Sequence, residues 1–100
     1  MTGKKNNIST LFEWAKTQDK YWSELAIIDF TEEIVRWMKQ TDTNRVQLAD
    51  SLGTSPAYIT KLLKGDNNFT IETMTKVARA LGTELQLHLI CSGWQKRRDE

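Results

Sequence analysis

The stretch Gly53-Thr54-Ser55-Pro56 constrains this chain more than any other feature, because it stops one helix and starts another almost at once. Glycine enters the left-handed backbone region at the least cost and so suits a helix end. Ser55 is an N-cap residue, and Pro56 at the first helical position gives up an N–H that has no helical partner anyway. Before this point a turn of capping residues, Asp42, Thr43 and Asn44, leads into Val46, Leu48, Ala49 and Leu52 at helical spacing. After it, Ile59, Leu62 and Leu63 point inward until Gly65 stops the run. Two short helices joined by a sharp glycine turn are the expected result.

The flanks extend the helical reading. Residues 1–7 are polar with nothing to bury, and Ser9 offers an N-cap for a short turn carrying Leu11, Phe12 and Ala15. Asp19 is the next candidate cap. From there Trp22, Leu25, Ala26, Phe30, Ile34, Trp37 and Met38 trace one helical stripe to about Gln40, with Ile27, Ile28 and Val35 off it. The extra apolar faces need extra partners. On the far side Thr70 caps a helix with Ile71, Met74, Val77, Ala78 and Leu81 inward, ended by Gly82.

Glu84-Leu85-Gln86-Leu87-His88-Leu89 then alternates polar and apolar, the pattern of a half-buried strand, and it is the one strand candidate. A lone strand leaves its backbone groups unpaired, so it needs a second strand or its own copy in another subunit. A two-fold axis pairs it with itself antiparallel, which makes Leu85, Leu87 and Leu89 the expected dimerisation residues.

Arg45 to Lys64, RVQLADSLGTSPAYITKLLK, resembles the helix-turn-helix of the lambda-repressor-like Xre family. The resemblance rests on alanine at its fifth position (Ala49), glycine at its ninth (Gly53), aliphatics at Leu48, Leu52, Ile59 and Leu62, and the capping serine before the second helix. A small residue at Ala49 lets the two helices approach closely. With the helices before and after, the match covers about half the chain. The implied fold is mainly α: a lambda-repressor-like helical domain with an N-terminal helical extension and one C-terminal β-strand pairing across a homodimer. The implied division is 1–28 for the extension, 29–83 for the domain and 84–100 for the strand and a charged tail.

The resemblance also implies the function, sequence-specific binding of double-stranded DNA, with the helix that opens at Ser55 in the major groove. Pro56, Ala57, Thr60 and Lys61 then face the bases, while Asn44, Arg45, Tyr58, Lys64, Asn67 and Asn68 reach phosphates. In one respect the chain departs from the family. Its recognition helix has no Arg, Gln or Asn in its first two turns, the residues that make bidentate contacts to guanine or adenine. Specificity is therefore expected to lean on Lys61, on thymine-methyl contacts and on DNA shape. The expected role is a homodimeric transcriptional repressor of a palindromic operator. The alternative is a HigA-like antitoxin, which binds a partner toxin and represses its own operon.

Composition bears on the other function classes. One hundred residues fit one domain, and a single cysteine, Cys91, with a single histidine, His88, excludes a disulfide framework and a structural zinc cluster. No signal-peptide core or membrane-length apolar run occurs, so a cytoplasmic protein is expected. Catalysis has no constellation to work with. His88 and Cys91, three apart in a strand, project to opposite faces, Glu32 and Glu33 diverge on a helix, and there is no glycine-rich phosphate loop. Neither a cofactor nor a metal is expected. Trp14, Trp22, Trp37 and Trp94 are read as packing residues. The balance of 14 basic and 13 acidic residues gives a net charge of +1, which hides a split by segment. Residues 21–43 hold two bases against five acids, whereas the expected DNA face carries Arg45, Lys61 and Lys64.

Overall fold

A computed structural model describes residues 10–65 and 68–91. Residues 10–15 are helical (α1) and are followed by α2 (Asp19–Gln40), α3 (Arg45–Leu52), α4 (Pro56–Leu62) and α5 (Ile71–Ala80). The expected cap Ser9, residue Asn67 and the tail with Trp94 lie outside the described residues.

The short helices exist because their ends are chemically marked. Asn44, Ser55 and Thr70 each sit in extended backbone and accept a hydrogen bond from the N–H three residues on, as the sequence leads one to expect of N-caps. Three of the C-terminal ends share another device. The N–H of Gly53 donates to Asp50 O and that of Thr54 to Ala49 O, the paired bonds of a Schellman ending. The same pair closes α5 through Gly82 and Thr83, and α2 through Asp42 and Thr43. In α2, however, the left-handed position is held by Asp42 at φ 55°, not by glycine.

Ile34 and Met38 of α2, Leu48 and Ala49 of α3, Ile59 and Leu62 of α4, and Val77 with Leu81 at α5 form one buried cluster. Phe30 and Phe69 meet edge to face at 5.0 Å on its border and close it against the segment leading into α5. Leu48, Ala49 and Ile59 are fully enclosed, so α3 and α4 are held from within by the residues that bracket the glycine turn.

Two expectations are corrected. The N-cap of α2 is Gln18, which makes no side-chain cap bond, and Asp19 is the first helical residue. The chain leaves α1 through a tight turn, with Thr17 Oγ1 donating to Trp14 O and the Gln18 N–H to Ala15 O, and this turn sets Gln18 in the extended position. The buried face of α2 is also rotated from the expected stripe. Its buried residues are Thr31, Ile34 and Met38, while Trp22 and Trp37 remain 48% and 40% exposed. Thr31 can be buried because its hydroxyl donates to Ile27 O at 2.8 Å, leaving no polar hydrogen unpaired. Trp22 instead reaches back, its indole N–H donating to Lys16 O at 2.7 Å, and so ties α1 to the start of α2.

The expected strand is not formed within one subunit. Residues 83–91 have neither helix nor strand among the described residues. A strand exists only with a ladder partner, and the described residues of one subunit offer none there. The described residues are mainly helical.

Candidate nucleic-acid interface

The start of α3 is fixed by two reciprocal bonds. Asn44 Oδ1 accepts from the Gln47 N–H at 2.8 Å, and Gln47 Oε1 accepts from the Asn44 N–H at 2.9 Å. This capping box commits the amide oxygen of the exposed Asn44 and leaves its NH2 group for an acceptor such as a phosphate oxygen. Gln47 was not among the residues singled out from the sequence. The spacing Asn-x-x-Gln before an apolar run was the signal that could have found it.

Ser55 Oγ accepts from the Tyr58 N–H at 3.2 Å and opens α4 with Pro56 behind it. Within α4, Ile59 and Leu62 are buried, and at 100° per residue Ala57, Thr60 and Lys61 fall on the opposite face. All three are exposed, as are Pro56 and Tyr58. The Thr60 hydroxyl donates to Pro56 O at 3.2 Å, so toward a base it acts first as an acceptor. The exposed face of α4 is thus small near its start and cationic at Lys61.

Asn44 and Arg45 line a groove with Lys39, Asp42 and Gln47, and Leu63 at the end of α4 lines the same groove. The start of α3 and the end of α4, next to Lys64, are therefore neighbours. Lys39 adds a cation there from within the acidic segment 21–43. Among the described residues the ion pairs are Lys20–Glu24, Arg36–Glu33 and Lys76–Glu72, all along single helices, and none involves Arg45 or Lys64. Asn68 lies elsewhere. It lines crevices against the first half of α2 with Ser23 and Ile27, not the groove of Arg45.

A sequence model described as helix-turn-helix matches residues 34–87, just over half of the chain. The chain belongs to that family, the lambda-repressor-like Xre helix-turn-helix proteins. Comparison with curated proteins and with solved structures gives no match. As a helix-turn-helix protein of this kind it is a DNA-binding transcription regulator. Among the described residues, no group of His, Cys, Asp and Glu could hold a metal ion. No helix among them is long and apolar enough to cross a membrane.

Asp42 stands at the edge of this face in a backbone conformation that an L side chain adopts only at a cost. Asp42→Gly is expected to stabilise the protein by about 0.5–1 kcal/mol, seen as a raised urea midpoint at unchanged slope. The same change removes a carboxylate from the groove of Arg45 and Lys39, so weak binding to random duplex should tighten.

Proposed function

We propose that the protein is a homodimeric, sequence-specific repressor that reads a palindromic duplex operator with α4. The observation that carries this reading is the exposed face of Ala57, Thr60 and Lys61, held over the buried Ile59 and Leu62 and anchored by the closed glycine turn. Pro56 and Ala57 offer apolar surface to thymine methyls, and Lys61 reaches a guanine O6 and N7. Asn44, Arg45, Tyr58, Lys64 and Asn67 contact phosphates, with Ser55 holding the helix start. Residues 29–83 are the DNA-binding unit, and Leu85, Leu87 and Leu89 join two copies so that the α4 helices reach half-sites about 34 Å apart.

The two lysines test the assignment against each other. Lys61→Ala should relax the preference at one base pair of each half-site, with an affinity cost of about 1–3 kcal/mol per half-site on the preferred operator and little cost on other sequences. Lys64→Ala should weaken all sequences alike and flatten the salt dependence of the dimer by about two units of slope, one for each copy. Titrations of both variants against a panel of single-base-pair operator changes read this directly. Indistinguishable profiles contradict the roles assigned.

A second reading is supported by a surface that DNA binding does not use. Leu11, Phe12 and Trp14 of α1 are each about 60% exposed, and Trp22 and Ile28 of α2 are exposed beside the acids Glu24 and Asp29. Such a face suits a HigA-like antitoxin that covers a partner toxin while repressing its own operon. A short neighbouring reading frame, toxic when expressed alone and co-purifying with this chain, would establish that reading. A repressor without a toxin has no such partner.

A further inference from the structure

Past α5 the chain leaves through Gly82 and Thr83 and presents leucines at 85, 87 and 89. Leu85 is half-buried, Leu87 is 61% exposed and Leu89 is 103% exposed. Leu85 and Leu87 line an open groove whose other walls include Phe30 and Trp37 of α2 and Leu81. From Glu84 to Ile90 no backbone N–H or C=O is hydrogen bonded among the described residues. A row of backbone groups that make no hydrogen bond within the subunit is a ready template for another strand, and leucines at period two call for an apolar partner of the same period.

The rest of the chain does not carry that period. Residues 92–100 hold one large apolar side chain, Trp94, and residues 1–9 hold only Met1 and Ile8. A second copy of the chain carries it residue for residue. We propose that two copies join through residues 84–90 as an antiparallel ribbon whose two-fold axis passes through Leu87. This rests on the homodimer reading above and adds its register.

Parity decides the register. Residues opposed across an antiparallel pair lie on the same face, so leucine-bearing odd positions must oppose odd positions, and the axis passes through a residue. An axis at Gln86 opposes Leu85 to Leu87 but leaves Leu89 opposite Thr83. An axis at His88 opposes Leu87 to Leu89 but leaves Leu85 opposite Cys91. Only Leu87 serves all three, opposing Leu87 to itself and Leu85 to Leu89 of the other copy. It also sets Gln86 against His88, both able to hydrogen bond on the polar face. Leu89 of the other copy then lies beside Leu85, at the groove that Trp37 also lines. A two-stranded ribbon is marginal in water by itself, and the apolar groove wall supplies the further surface it needs.

The test reads association without DNA, so its failure is distinct from a failure to bind an operator. In a Cys91→Ser background, single substitutions Gln86→Cys, Leu87→Cys and His88→Cys are oxidised mildly and resolved on a non-reducing gel. Leu87→Cys should cross-link at least about ten times faster than its neighbours, because only self-opposed residues bring their Cα atoms to about 4.5–5.5 Å, within disulfide reach. Fastest closure at 86 or 88 overturns the register. Leu89 buries nothing within one subunit, so Leu89→Arg spares the fold. Its circular dichroism should be unchanged while sedimentation shows the dimer weakened by at least about 100-fold, as expected for a charge placed without a partner in an apolar contact. A monomeric unsubstituted protein, or a dimer indifferent to Leu89→Arg, overturns the interface.

Discussion

Ala57→Glu is expected to abolish operator binding, by at least about 100-fold, with the fold intact. Ala57 is exposed on the outer face of α4, so the longer side chain meets no neighbour in the free protein. A carboxylate in the first turn of a helix also favours its dipole, which removes folding as an explanation. Against DNA the same group faces base acceptors and the phosphate field, and like-charge juxtaposition costs several kcal/mol. Ala57→Gln has nearly the same volume without the charge and should lose much less. Fluorescence anisotropy with a labelled operator separates the two. Equal losses would assign the effect to bulk, and no loss from glutamate would mean that α4 does not enter the groove.

The second large effect is on stability. Leu48 of α3 is fully buried in the core cluster, and Leu48→Ala is expected to cost about 2–5 kcal/mol through lost burial and the cavity left behind. For a domain this size that lowers the thermal midpoint by roughly 10 °C or more. Val46, on the same helix but 55% exposed, provides the comparison. Val46→Ala should stay within about 0.5 kcal/mol. Calorimetry on the two variants checks whether the glycine-turn pair is clamped through its inner face, as the burial of Leu48, Ala49 and Ile59 implies.

The helix-turn-helix was legible because its signals are local. Gly53 at φ 69°, Ser55 as N-cap and Pro56 at the first helical position act within a few bonds of themselves, and their roles follow from residue type alone. Ala49, Leu48 and Ile59 were legible as core for the same reason, since periodicity fixes the inner face of a short helix. The face of α2 was not. Only its second half meets the core, so a stripe drawn along the whole helix takes in Trp22 and Trp37, which stay partly exposed in one subunit, and misses Thr31, which pairs its own hydroxyl with Ile27 O.

In the candidate site, the exposed positions of α4 followed from the same periodicity. The engaged hydroxyl of Thr60, the Asn44–Gln47 exchange and the approach of Lys39 to Arg45 depend on rotamers and on how α2 meets α3. Sequence spacing does not contain these. Asn68 illustrates the converse, a residue near the motif in sequence that packs beside α2 instead. The alternation at 84–89 was visible, but whether it becomes a strand is decided by a partner that one subunit does not supply.

The most direct test of the central claim is selection from a random duplex pool by the purified protein, with the Ala57→Glu variant run in parallel. Sequencing of the bound fraction should show enrichment of an inverted repeat with half-sites about one helical turn apart, and the variant should lose it. A bound fraction with no enriched sequence, or the same enrichment with both proteins, would contradict recognition through α4.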